Sequence, residues 1–516
     1  MYFCFVNVHK IKYKDTYSFS KLVENYTEIS VDPSMYNRYP CLSDFSDQIK
    51  EKSKQYIDRD LLVSVLTKQN STINLSDESL GNIDSLLDNN TYTITTGHQL
   101  CLFTGPLYFI YKIISTLNLT ERLRKEFSQY NFVPIFWMAT EDHDFKEINH
   151  VSLYGEKFVW ECDQKGIVGD FKTEGILEII EEIDSFLGRN NDKKYLINLL
   201  KKCYSKNTLS EATRSLINEL FGKYGLVILD SNDIDFKKKL IPIMKEDIVY
   251  QSLSPIIKKN TDNNSLTYKT QAFVRNINFF QISESKRERV IESVSENEIE
   301  NNPEKFSPNV LMRPLYQELI LPNLSYIGGG AEISYWMQLK SLFNQQDIVF
   351  PILTLRNSVM WMEEKDYEKW KNLGFNLENI FLSTSALEKM YVQKQSEISL
   401  FEEKSSLENL YISISERTHD HGLKSSIKSD LVKNLKSLEK IEKKLIRFEK
   451  KKYENSLSQI HKIKSKLFPN KQLQERIDNI ITYYITYGEK FIETLKEELD
   501  PLDSNFLILS PLKNKK

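Results

Sequence analysis

"TTGHQLCLFTGPLYFIYK", residues 95–112, passes from strand formers through a glycine, a His-Gln pair and a second glycine to Pro106, which opens a helical pattern. Phosphate-binding folds make this passage because a helix start presents bare N–H groups to an anion. No lysine stands where a P-loop places one, and the glycine spacing is wrong for a dinucleotide fingerprint. The stretch therefore predicts a strand end in an open α/β sheet and leaves the ligand open.

Similar apolar runs recur on either side of a loop and a helical pattern. They are "YTITT" (92–96), "VPIFWMAT" (133–140), "GLVILDS" (225–231), "LSYIGGG" (324–330) and "IVFPILTLR" (348–356). Near-continuous apolar strands separated by helices predict a parallel sheet covered on both faces, a Rossmann-like α/β core. The core is expected over 91–375. Two intervals are too long for one crossover and predict insertions at about 150–220 and 235–315, with strands of their own in "KFVWECD" and "AFVRNINFFQIS". Residues 1–90, closed by the polar "DSLLDNN", form an N-terminal segment expected to pack on the core.

Beyond 375 the texture is helical. Leu431, Leu438 and Leu445 recur every seven residues, with Leu435, Ile441 and Phe448 between them, in a segment (424–467) dense in Lys and Glu. This predicts one long helix in an α-helical coiled coil over 376–500, as a hairpin that either folds only on itself or also pairs subunits. Pro469 ends the seam, a further helix is expected from 471 to about 499, and 501–516 ("NFLILSPL") should return to the core as a strand.

The 516 residues give room for at least one large core, and a net charge of −3 asks for neither nucleic acid nor an anionic membrane. No apolar run is long enough to span a bilayer, and the apolar start is too short for a signal peptide. The five cysteines (Cys4, Cys41, Cys101, Cys162, Cys203) are scattered, odd in number and without zinc spacing. The expectation is a cytoplasmic protein with reduced thiols.

The reactive-looking residues cluster just after the expected strands, where open α/β sheets hold their ligands. Gly97, His98, Gln99 and Gly105 follow the first. Thr104 or Gly105 is expected to cap a helix beginning at Pro106, whose free N–H groups favour an anion. His98 suits phosphate donation or proton transfer, or is structural. After the second strand, Glu141, Asp142, His143 and Asp144 could hold Mg²⁺, take an ammonium group, do general-base work or cap the next helix. Were the chain extended there, Asp142 and Asp144 would share a face opposite His143. Gly328, Gly329 and Gly330 open a helix as the first loop does. Glu332 suits that helix start but would repel a phosphate, so a hydroxyl or ammonium is its expected ligand. Arg313 could bind a carboxylate or phosphate, or pair with Glu318. Gln317, Tyr335, Trp336 and Arg356 complete the candidate substrate contacts.

The stretch at 95–112, "VPIFWMATEDHDFKEINHV", "RPLYQELILPNLSYIGGGAEISYWMQLK" and "LFPNKQLQERI" together resemble the cysteine-adding enzyme family of bacillithiol biosynthesis, over essentially the whole chain. One departure is His98, where many members carry glutamine, which counts against an essential catalytic histidine there. The resemblance implies a ligase that adds L-cysteine to the amino group of glucosaminyl-malate to form the thiol bacillithiol. It also implies a core related to class I aminoacyl-tRNA synthetases, ATP as the activating substrate with possible Mg²⁺, and a homodimer through the coiled coil. The class I His-x-Gly-His and Lys-Met-Ser-Lys-Ser patterns are absent. In the site, the glycine loops with Glu332 would hold the nucleotide, and Asp142, His143 and Asp144 would be catalytic, Asp142 or His143 taking the amine proton. Arg313 and its neighbours would bind the substrate. Two other classes fit the residues alone: a nucleotidyltransferase-like enzyme and a non-catalytic coiled-coil scaffold.

Overall fold

Five parallel strands form the central sheet, in the order Ile352–Leu355, Asn323–Gly328, Thr91–His98, Asn131–Met138, Val227–Asp230. The chain starts on Thr91–His98, runs outward through the second and third strands, then crosses to the other side for the fourth and fifth. The strand order therefore reverses between Thr91–His98 and Asn323–Gly328. That is the topological switch point of a Rossmann-like sheet, where the crevice opens beyond the carboxyl ends. The structure, a computed structural model, describes residues 3–188, 193–284, 286–396 and 399–513. The side chain of Cys4 and residues 514–516 of the expected C-terminal strand lie outside the described residues.

The central strand shows why threonines can fill a core position. All of Thr91–Gly97 is buried. A buried hydroxyl without a partner is costly. Here Asn323 Oδ1 accepts from Thr93 and Thr95 (3.3 and 2.8 Å), and Thr96 donates to the Ile327 carbonyl (2.9 Å). The helix Tyr108–Glu126 covers one face with Phe109, Ile110, Ile113, Ile114 and Leu117, all fully buried.

Both expected insertions carry their own strands. The first holds the hairpin His150–Leu153/Glu156–Val159 and three helices, Ile176–Phe186, Lys193–Tyr204 and Leu209–Phe221. The second holds the antiparallel sheet Lys286–Arg289, Phe279–Ser283, Phe306–Pro308. At the end of the chain Asn505–Lys513 pairs antiparallel with Phe3–Lys12 in a separate three-stranded sheet.

The chain divides into one unit of Met1–Met360 with Leu473–Lys516 and a second of Trp361–Gln472. This corrects the expected boundaries at 375 and 500. The helices Ile480–Tyr487 and Lys490–Glu498 belong to the first unit, where Asn118 Nδ2 donates to the Leu499 carbonyl (2.6 Å). They replace one helix over 471–499 because Gly488 breaks it at φ +63°. In the second unit the long helix is also interrupted. His421–Glu449 is followed by a 3₁₀ turn, Lys450–Tyr453, and then Glu454–Leu467. Phe401–Glu416 folds back on His421–Glu449 as a hairpin, with Tyr411 donating to Asp430 (2.8 Å) and Lys404 paired to Glu442 (2.9 Å). The leucine seam holds only in part. Leu431 and Leu438 are half-buried, whereas Leu445 and Phe448 are exposed and Glu442 and Ile446 take the packed positions.

Candidate active site

The first two strand-end loops meet directly. Gln99 Nε2 donates to Asp142 Oδ2 (2.7 Å) and to Glu147 Oε2 (2.8 Å). Asp142 Oδ1 in turn accepts the backbone N–H of His143 (2.7 Å) and of Asp144 (3.2 Å). The "EDHD" loop is thus a tight turn closed by Asp142, and the alternating faces of an extended chain do not arise. Asp144 is exposed, while Glu141 turns inward to a buried ion pair with Lys237. Among the described residues no group of three or more His, Cys, Asp or Glu is placed to hold a metal ion.

Across the switch point the first and third loops are joined by Lys112, which the sequence reading passed over. Its ammonium donates to the Gly97 carbonyl and to both oxygens of Glu332 (2.9 and 2.8 Å). Glu332 also accepts from Tyr326 Oη (2.5 Å) and from the Gly329 N–H (2.8 Å). Burial alone would raise its pKa, but Lys112 and these donors hold it down at about 2. A signal existed: Lys112 is a lone cation in the apolar stretch "LYFIYKII", and a buried lysine needs a partner.

The glycines serve mostly for packing, which corrects the expected pair of anion-binding helix starts. A Cβ on Gly105, at φ +62°, would lie 2.6 Å from Cys101 Cβ, and one on Gly330 would lie 2.5 Å from Val23 Cγ2. The first helix begins at Tyr108, without a side-chain cap, and not at Pro106. The Leu107 N–H goes to the Asp478 carbonyl (2.8 Å) and the Phe109 N–H to Pro106 (3.0 Å). At the other loop Glu332 already occupies the Gly329 N–H.

His98 lies against Tyr108 and Phe109, with ring centroids 5.4 and 5.1 Å away. Its Nδ1 faces the Gln99 carbonyl at 3.1 Å, and a carbonyl only accepts, so the proton is on Nδ1 and Nε2 is the acceptor. Burial first and the Lys112 charge second push its pKa down to about 4.

Arg313 is hydrogen-bonded to neutral groups: Gln317 Oε1 (3.2 Å), Tyr335 Oη (3.1 Å) and Tyr326 Oη (3.4 Å). The alternative pairing with Glu318 does not form, because Glu318 is buried against Lys52 at 3.1 Å. Gln317 and Trp336 are fully buried, Gln317 donating to Glu318 and Trp336 stacked on Tyr326 at 4.6 Å, so both are corrected from direct substrate contacts to supports. Arg356 is neutralised by Glu475 through two hydrogen bonds of 2.9 and 2.8 Å, a partner that the sequence reading also missed. The third omission is Arg287, on the inserted hairpin, whose Nη1 lies 3.0 Å from His143 Nδ1.

Two family models match the chain: "Bacillithiol biosynthesis BshC, N-terminal Rossmann-like domain" over residues 6–357 and "Bacillithiol biosynthesis BshC, C-terminal coiled-coil domain" over 359–511. A protein of Christiangramia forsetii is 42% identical, covering 97% of this chain and 98% of its own. One of Flavobacterium johnsoniae is 40% identical over 97% and 99%. Both carry the name "Putative cysteine ligase BshC". A solved structure from Campylobacter jejuni titled as an arginyl-tRNA synthetase aligns with 83% of this chain and 100% of that one, at 10% identity and a TM-score of 0.22, too low to bear on the fold. On the two domain matches and the full-length relatives, the chain belongs to the BshC family, the cysteine ligases of bacillithiol biosynthesis.

Proposed function

We propose that this ligase joins L-cysteine to the amino group of glucosaminyl-malate at the switch-point crevice. An amide does not form from a free carboxylate and an amine in water without activation, and ATP is the expected source of that activation. The observation that carries the assignment is Arg313. Lys112 is balanced by Glu332 and Arg356 by Glu475, but the Arg313 hydrogen bonds all go to neutral groups. Among the described residues Arg313 has no ion-pair partner of its own, which suits it to an incoming anion, and both the malate carboxylates and a nucleotide phosphate are of that class. Arg313 binds and orients that anion. Asp142, held by Gln99 at the neighbouring strand end, faces the amine and takes its proton as the C–N bond forms.

The exposed apolar side chains of the helical unit, among them Phe401, Leu410, Ile412, Val432 and Phe448, support pairing of two subunits through this hairpin. The assay is mass spectrometry of products from L-cysteine, ATP and glucosaminyl-malate with the purified chain. The expected product is bacillithiol, and Arg313→Met should raise KM for glucosaminyl-malate at least about tenfold. In cells lacking the native gene, Asp142→Asn with Asp144→Asn should fail to restore bacillithiol. Restored bacillithiol would overturn the Asp142 assignment.

A further inference from the structure

Arg287 lies outside the loops that form the crevice walls, yet all three of its guanidinium nitrogens are held. Its Nε and Nη2 donate to Ser307 Oγ (3.1 and 3.0 Å), and Nη2 also donates to the Pro308 carbonyl (3.0 Å). Its guanidinium lies 3.9 Å from the centre of the Phe280 ring. These contacts fix the plane of the group and leave Nη1 directed at His143 Nδ1, 3.0 Å away. A guanidinium stays protonated and only donates. The imidazole nitrogen it meets must therefore accept, which puts the ring hydrogen on Nε2. Asp142 Oδ1 is 3.6 Å from the same Nδ1, but it is engaged by the His143 and Asp144 backbone N–H groups.

We propose that Arg287 is a positioning residue that holds His143 as a neutral imidazole whose Nε2–H donates to the substrate. The group it serves, on the ligase reading above, is the oxygen of the cysteinyl acyl carbon. The amine nitrogen forms its bond to that carbon and the C=O π pair moves onto the oxygen. A fixed N–H stabilises the charge that develops there. The amine proton passes to Asp142 as the C–N bond forms, and when the pair returns the bond to the activating phosphate oxygen breaks with its electrons. His143 takes no proton in this sequence, so it is not the base.

The charged groups around the ring are consistent with this role. Arg287 and Arg289 face it from the hairpin, Asp142 and Asp144 from its own loop. Burial first and Arg287 second lower its pKa, against the two carboxylates.

The first test is nitrogen NMR of the full chain labelled with ¹⁵N-histidine, with His143 assigned by its loss in His143→Gln. The expected result is the Nε2–H tautomer, with Arg287→Met raising the His143 pKa. An Nδ1–H tautomer in the unaltered chain overturns the proposal. The second test is activity. Glutamine places an amide N–H near the imidazole Nε2 position, so His143→Gln should stay within about tenfold, while His143→Ala falls about a hundredfold. Arg287→Met should lower kcat with little change in KM, because the N–H it orients acts on charge that develops only in the transition state, with Arg287→Lys in between. His143→Gln falling as far as His143→Ala also overturns the proposal. If the unaltered chain shows the expected tautomer but no cysteine ligation, the ligase reading fails while the Arg287 assignment stands.

Discussion

His98 ends one strand and His143 lies in the loop that follows its parallel neighbour, and their surroundings keep both neutral with opposite polarity. His98 donates from Nδ1 to the next residue's carbonyl and presents Nε2 as an acceptor. His143 receives Arg287 on Nδ1 and presents Nε2 as a donor. The environment of His98 is mostly local: Gln99, Cys101, Tyr108, Phe109 and Lys112 all lie within 14 residues of it. That of His143 is imported, since Arg287 is 144 residues away on an insertion. The same side chain, at the end of one strand and in the loop after its neighbour, thus acquires its chemistry by different routes.

The largest expected effect breaks the His98 end. Lys112→Met removes a cation that is 3% exposed and takes from Glu332 its hydrogen-bonded ion-pair partner. Removing one partner of a buried pair typically costs about 3 kcal/mol or more, so urea unfolding should show a loss of that size. The His98 pKa should rise at the same time, because the Lys112 charge is the second cause of its depression. At the other end, Arg287→Met should cost only about 1 kcal/mol, since the side chain is half-buried and His143 and Asp142 are open to water. Equal losses at the two ends would show that the inserted hairpin is as integral to the core as Lys112.

This asymmetry matches what could be read from the residues alone. The five core strands were visible because each is a short apolar run followed by a loop, a pattern set by burial on both faces. The convergence of Gln99 with Asp142, and of Gly97 with Glu332, follows from that topology without any side-chain knowledge. What stayed hidden depended on distant pairing. Arg287 lies in the charge run "SKRERV", where nothing distinguishes it from its solvated neighbours. Glu475 reaches Arg356 from beyond the helical unit, which no local period reveals. The glycines misled for a related reason. A glycine that admits a ligand and one that admits Val23 look alike in a sequence, and Gly330 is of the second kind.

The smallest expected effect sharpens the contrast between the two histidines through pH. The folded-state pKa of His98 is near 4, against 6.5 for an ordinary histidine. Between those values the unfolded chain binds a proton that the folded chain refuses, so stability falls with falling pH. The His98 contribution is fully present above pH 6.5 and is lost as the pH drops through 4. For Glu332, with a folded value near 2 against 4.5, the loss begins only below pH 4.5, while Asp247 and Asp478, raised to about 6 by burial, titrate in the same window as the histidines, so the comparison is made between variants at the same two pH values. Going from pH 7 to pH 6 should cost the unaltered chain a little under about 1 kcal/mol through His98. His98→Gln, which has nothing to titrate, should lose that part of the slope in urea unfolding at the two pH values. His143→Gln should remove less, because the His143 ring is 44% exposed and Asp142 and Asp144 oppose the depression of its pKa. If His143→Gln flattens the slope as much as His98→Gln does, the imported environment is as closed as the local one.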